Sequence, residues 1–134
     1  MEVTAIAKNV RISPKKVRLV IDQIKNRRPQ DAVKILDFVN KRPAAAIKKV
    51  IMSAIANAKN NYALDEGSLV FKQISASKGL TFKRIRPVSR GRAHHILKRA
   101  SYLTVVLEGE QKVKKESSSQ RAKESKEEKS GPKS

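Results

Sequence analysis

The side chains that could do chemistry in this chain are cations, and they cluster. Between Glu66 and Glu108 there is no Asp or Glu. Nine cations fall in that gap: Lys72, Lys78, Lys83, Arg84, Arg86, Arg90, Arg92, Lys98 and Arg99. Such a run has no acid of its own to pair with, so its chemistry is the neutralisation of a polyanion. Catalysis finds no support. His94 and His95 are adjacent, and in a strand adjacent side chains point to opposite faces, so they do not chelate one metal as a simple pair. No cysteine is present and no carboxylate lies near the histidines. A nucleophile triad, a phosphate loop and a dinucleotide fingerprint are all missing. Two readings of the histidines stand: contacts to backbone phosphate or a base, or exposed loop residues. Asp22, Asp31 and Asp37 read as surface partners of neighbouring cations.

The element that must carry these cations is a hairpin. The stretch from Lys78 to Leu107 reads as two extended arms about a turn at Pro87–Gly91. Proline cannot donate to a ladder and glycine tolerates positive φ, so together they mark a reversal. The second arm ends in SYLTVVL, a β-branched and apolar run. Near the turn neither face is apolar. Thr81, Lys83 and Ile85 share one face and Phe82, Arg84 and Arg86 the other. Unpaired buried cations are too costly for either face to enter the chain's own core, so the ribbon is expected to project. Nine residues at roughly 3.3 Å each would reach about 30 Å. An ordinary hairpin with a solvated charged face is the plainer reading, but solvated faces usually mix both signs.

Composition points the same way. The chain has 134 residues, 31 Lys plus Arg against 12 Asp plus Glu, and a formal net charge of +19. That excess repels itself in a compact chain, so a neutralising partner is expected, nucleic acid first and an anionic membrane surface second. No apolar run is long enough to span a bilayer. Met1 leads straight into a strand-like run, with no secretory or transit segment. The lack of cysteine excludes a disulfide scaffold or zinc finger and fits a reducing cytoplasm. With three Phe, two Tyr and no Trp, few base-stacking platforms are available, so backbone and shape recognition is favoured over reading splayed bases.

The rest of the chain must hold that hairpin. Glu2–Val10 alternates weakly, with Val3, Ala5 and Ala7 on one side and Ile6 on the other, and reads as a strand. Ser13-Pro14 opens a helix, Ser as the cap and Pro at the first helical position. Val17, Val20, Ile21 and Ile24 form its apolar face. Lys15, Arg18 and Lys25 lie off that face, either as a flank on phosphate or as a solvated surface. Asn26 to Pro29 ends this helix. A second runs from about Gln30 to Val39 on Ala32, Ile35, Leu36 and Val39. A third starts at Arg42-Pro43 and ends near Asn61, with Ile47, Val50, Ile51, Ala54 and Ala58 inward. Small Ala54 and Ala58 allow close approach of another element. Lys49, Ser53, Asn57 and Asn60 share a polar flank. Asn60 reads as a C-terminal cap and Asn57 as internally hydrogen-bonded, or else both are held by a partner. Asp65-Glu66-Gly67 is a turn, and Leu69–Ser77 a strand leading into the ribbon. Residues 112–134 have almost no apolar side chains and are expected to be disordered. The expected fold is α+β: three helices on one face of a three-stranded antiparallel sheet of the N-terminal strand, 69–77 and 101–108. It forms a single domain, 1–111, including a projecting hairpin at 80–100.

Four motifs add a resemblance. SAIANAKNN at 53–61, GRAHHILKRASYLTVVL at 91–107, ISPKKVRLVIDQIK at 12–25 and DAVKILDF at 31–38 resemble, in order and spacing, ribosomal protein twenty-two of the large subunit, the bacterial type most closely. The resemblance covers about residues 3–109. It implies a structural, non-enzymatic constituent of the cytoplasmic ribosome. It implies binding to 23S rRNA from several domains, a role in early assembly, and a globular part near the exit of the nascent-chain tunnel. It implies a hairpin that threads the rRNA and lines the tunnel wall, meeting the nascent polypeptide and neighbouring ribosomal proteins. No cofactor, metal, membrane or homo-oligomer is implied. Carried onto this chain, it makes Lys15, Lys16 and Arg18 rRNA contacts at the first helix. Lys78, Lys83, Arg84, Arg86, Arg90, Gly91, Arg92, His94, Lys98 and Arg99 become contacts along the hairpin. The tip departs from the family's Pro-Arg-Ala-Arg-Gly-Arg. Here it is Pro87-Val88-Ser89-Arg90-Gly91-Arg92, one cation fewer, and Tyr102 stands where His is common. Charge alone also suits a membrane-surface or acidic-partner module, but the basic amphipathic helix with large apolar anchors that it needs is missing. A nucleic-acid enzyme would need an acid/base or metal set, which is missing too.

Overall fold

The structure is a computed structural model, and it describes residues 1–110. The tail at 112–134 lies outside the described residues. In chain order come β1 (Glu2–Val10), α1 (Pro14–Ile24), α2 (Pro29–Phe38), α3 (Arg42–Tyr62), a 3₁₀ turn (Glu66–Ser68), β2 (Val70–Pro87) and β3 (Ala93–Glu108). The expected α+β architecture is present, with one antiparallel sheet in the order β1-β3-β2. The central place of β3 follows from its sequence, since SYLTVVL is the most apolar strand and is the one flanked on both sides.

Hydrophobic periodicity sets the helices. In α1, Val17, Val20, Ile21 and Ile24 are buried. In α3, Ile47, Val50, Ile51, Ala54 and Ala58 are buried, the two alanines completely. They meet Val3, Ala5, Leu103, Val105 and Leu107 from the sheet in one cluster. Helix α3 packs on β1, β3, α1 and α2; α1 packs on β2; the principal neighbour of α2 is α3. Each helix has proline in its first turn, where a missing N–H costs nothing.

Local details differ from the expected ones. Ser13 holds the N-cap position of α1, but its side chain makes no capping bond. Its carbonyl accepts from the N–H groups of Lys16 and Val17 instead. The end of α3 is not at Asn60. The helix runs on to Tyr62, and Ala63 turns left-handed at φ 49°. The Leu64 N–H then donates to the Ala58 carbonyl at 3.1 Å. Leu64 is only 3% exposed, so burying this side chain decides where the helix stops, and an asparagine cap does not. The weak alternation of β1 also has a cause. Its register shifts between Ala7 and Val10, and Asn9 takes φ 57°, a left-handed conformation that Asn tolerates.

Strands β2 and β3 outrun β1. Pairing with β1 ends at Val10↔Ser101. Beyond it β2 and β3 continue as a two-stranded ribbon, from Thr81↔Arg99 to Pro87↔Ala93. Those seven pairs span about 20 Å at roughly 3.3 Å per residue, with the turn beyond. The β2–β3 ladder shifts register between Phe71 and Gln73 and again between Lys78 and Thr81, and the latter marks the ribbon's root. Gly79 sits there. A Cβ on it would stand 3.1 Å from both Ala100 C and Ser101 N, so the backbones approach more closely than a side chain allows. At the tip Pro87 is the last strand residue rather than the first turn residue. The reversal is made by Val88–Arg92, with Arg90 at φ 59° and Gly91 at φ 67°, and the Val88 N–H donates to the Arg92 carbonyl at 2.9 Å.

Candidate nucleic-acid interface

The ladder register decides how the ribbon presents its charge. Directly paired residues share a face. Phe82 faces Lys98, Arg84 faces Ile96 and Arg86 faces His94. On the opposite side Thr81 faces Arg99, Lys83 faces Leu97 and Ile85 faces His95. Each face therefore carries cations, and every residue from Lys83 to Arg99 is exposed. His94 and His95 lie on opposite faces, as their adjacency requires. Ile85 is 63% exposed, and Ile96 and Leu97 are also exposed, so the few apolar side chains of the ribbon find no core within the chain.

The ion pairs of the described residues lie away from the ribbon: Lys25–Asp22, Lys48–Asp37, Lys59–Glu66 and Lys72–Glu2. None uses a cation from Lys78 to Arg99. Two of them move a lysine pKa. The hydrogen bond and charge of Glu66 raise that of Lys59. The hydrogen bond from Lys72 to Glu2 raises that of Lys72 against a lowering by desolvation, with Glu2 and Glu108 charges adding. Asp22 and Asp37 pair with lysines as expected. Among the described residues no group of three or more His, Cys, Asp or Glu is placed to hold a metal ion, and no helix is long and apolar enough to cross a membrane.

Helix α1 meets the ribbon's root at a cleft of about 400 Å³ lined by Ser13, Lys15, Arg18, Lys78, Thr81 and Arg99, among others. The fold thus joins two of the three helix cations named from sequence, Lys15 and Arg18, to two of the hairpin cations, Lys78 and Arg99. Lys16 is exposed on α1 outside that lining. Arg18 has a second task. Its Nε and Nη2 both donate to the Ala76 carbonyl, at 3.0 and 2.9 Å, which ties α1 to β2. On the neighbouring side a cleft of about 330 Å³ is lined by Arg11, Arg42, Phe82, Lys98, Arg99 and Ala100. The Arg11 guanidinium carbon lies 5.3 Å from the Phe82 ring centroid and that of Arg84 lies 5.8 Å from it. Sequence reasoning missed Arg11 and Arg42. Each lies just before or at a helix start with nothing local to mark a site, and only the packing of the chain around the ribbon root brings them together.

The family model for ribosomal protein L22p/L17e matches residues 5–108, which takes in every strand and helix described above except the first residues of β1. The large ribosomal subunit protein uL22 of Staphylococcus aureus strain JH9 is 44% identical over 115 residues, covering 85% of this chain and 98% of that protein. Those of strains Newman and USA300 match to the same extent. A family match over most of the chain, together with relatives aligned over nearly their whole length, shows that the chain belongs to the ribosomal protein L22p/L17e family.

Proposed function

We propose that the chain is a structural constituent of the bacterial large ribosomal subunit in the cytoplasm and that it binds 23S rRNA from several domains. In this reading it supports early assembly, its helices and sheet sit near the exit of the nascent-chain tunnel, and its ribbon lines the tunnel wall. The observation that carries the reading is the exposed, two-faced and acid-free ribbon from Lys83 to Arg99. A ribbon with cations on both faces suits an environment that is anionic on both sides, as a strand pair threaded through folded RNA would meet. Lys15, Lys16, Arg18, Lys78, Lys83, Arg84, Arg86, Arg90, Arg92, Lys98 and Arg99 supply phosphate contacts, His94 touches phosphate or a base, and Gly91 lets the tip turn. Neighbouring ribosomal proteins and the nascent polypeptide complete its surroundings.

The test is salt. Binding of the purified protein to large-subunit rRNA should weaken steeply with salt, because each neutralised phosphate adds roughly 0.7–0.9 to the log–log slope. Co-sedimentation with large subunits should survive a high-salt wash. A slope near zero in a filter-binding titration would overturn the electrostatic reading, and loss of the protein in the wash would overturn integral membership of the subunit.

A further inference from the structure

The root of the ribbon holds an arrangement that the charge pattern alone does not require. Arg11, from the segment between β1 and α1, and Arg84, from β2, both stand over the ring of Phe82 at 5.3 and 5.8 Å. Arg42, the first residue of α3, and Lys98 line the same cleft as Arg11 and Phe82. Two chain segments thus bring guanidiniums over one aromatic ring and two more bring cations to the cleft that the ring lines, and among the described residues no carboxylate pairs with any of the four. Like charges gathered in this way repel one another until an anion sits between them. The N-terminal end of the α3 dipole adds positive potential at Arg42.

Phe82 restrains the guanidiniums. A guanidinium over a ring face is attracted by the ring quadrupole and loses freedom to swing. Its N–H groups lie in its own plane and still point outward as donors. Arg84 is held further by an Nη1–H donated to the Lys83 carbonyl at 2.9 Å. Two guanidiniums restrained over one ring, with Arg42 and Lys98 in the adjoining cleft, are the material of an anion site. Planar forks match the oxygens of a phosphate in a bidentate way that a loose lysine does not.

Building on the RNA-binding reading above, we propose that Phe82 is the positioning residue of a phosphate seat at the ribbon root. Arg11 and Arg84 grip a phosphodiester group of RNA there, with Arg42 and Lys98 completing the charge. The seat links the segment before α1, the start of α3 and both ribbon strands through one anion. Occupancy therefore fixes the angle at which the ribbon leaves the sheet. An acidic protein segment is the competing ligand. RNA is favoured because the seat is continuous with cations on both faces of the ribbon beyond it.

The experiment uses the full chain and large-subunit rRNA. F82L keeps the apolar bulk and every charge but removes the π face, and F82Y keeps that face. In the free wild-type protein the Arg11 and Arg84 Nε–H resonances should carry ring-current shifts, present in F82Y and absent in F82L. In filter binding F82L should weaken affinity by about 3–10-fold, the loss expected when one or two modest cation–π restraints are removed. Its salt slope should stay unchanged and F82Y should bind as wild type. R11Q should lower the slope by roughly 0.7–0.9, the value for one phosphate contact. F82L should add nothing in the R11Q/R84Q background. Wild-type affinity in F82L, or an equal loss in that background, would overturn the seat while leaving RNA binding intact. No binding by the wild type would overturn both. Tighter binding of an Asp/Glu-rich peptide, with the same F82L penalty, would overturn phosphate as the ligand. Should F82L not fold, an R11Q slope equal to that of the wild type would overturn the seat by itself.

Discussion

Arg18 separates a structural role from an RNA-contacting one, and the separation can be measured. The perturbation is Arg18→Met, which keeps the aliphatic stem and removes the guanidinium. In the structure Nε and Nη2 of Arg18 both donate to the Ala76 carbonyl, at 3.0 and 2.9 Å. Ala76 is 6% exposed and lies in β2, an edge strand of the sheet. Hydrogen bonds to charged groups are worth roughly 1.5–3 kcal/mol each. Here the two donors share one acceptor and the side chain is largely in solvent. The expected cost therefore falls to about 1–2 kcal/mol for the pair, near the low end of that range. Urea unfolding followed by circular dichroism reads it as a fall in midpoint at unchanged m-value. Lys15→Met is the control. Lys15 lines the same cleft but its side chain makes no hydrogen bond or ion pair within the described residues, so its loss should stay within about 0.5 kcal/mol of wild type. An Arg18→Met protein as stable as the Lys15→Met protein would refute the reasoning, and Arg18 would then be a surface cation like its neighbour.

Three further outcomes follow from the same geometry. Ala54 is 0% exposed beneath the sheet, so Ala54→Leu should overpack the core and cost about 1–3 kcal/mol in a urea titration. Thr81 and Arg99 are a ladder pair, so replacing 82–98 by Asn-Gly closes a two-residue hairpin; the shortened chain should melt cooperatively, and mass spectrometry of purified subunits should find it at near-normal occupancy. Lys72 has a pKa raised first by its hydrogen bond to Glu2; its contribution is full below the ordinary lysine value and is lost as pH rises through the raised folded value, and Glu2→Gln should return the Lys72 titration, followed by NMR, to the ordinary range.

The helices were legible because their stripes are long and purely apolar. Val17, Val20, Ile21 and Ile24, or Ile47, Val50, Ile51, Ala54 and Ala58, fit a helical period and no other, and all are buried. The projecting ribbon was legible for the opposite reason, as cations on both faces exclude a core. Features that depend on one contact were not legible. Asn60 and Ala63 both lie near the end of α3, and only the burial of Leu64 chooses between them. Arg18 looks like Lys15 and Lys16 until Ala76 is placed beside it. Arg11, Arg42 and Phe82 are far apart in sequence and acquire a shared role only when β1, α3 and the ribbon meet. Pattern reveals which face an element buries; it does not reveal which polar group closes a particular gap.

The two environments of the β2–β3 pair account for the register slip between Lys78 and Thr81, the outer of its two slips. Up to Ala76↔Leu103 the paired residues include Phe71↔Leu107 and Ile74↔Val105, and the inward face is covered by helices. From Lys83↔Leu97 outward every residue of the ribbon is exposed, and both faces carry cations. A uniform ladder would carry the twist and direction of the core sheet straight into the ribbon. The extra residue between Lys78 and Thr81 breaks that continuity, because a bulge bends its strand and increases the local twist. Gly79 makes the bend possible by letting β2 approach the backbone at Ala100 and Ser101 within the space of a missing Cβ. Both cationic clefts share Arg99 and Ala100, so the bend and the candidate anion sites occupy one place. The bend at the ribbon's root is therefore a backbone feature of the chain itself, and the proposed phosphate seat lies directly against it.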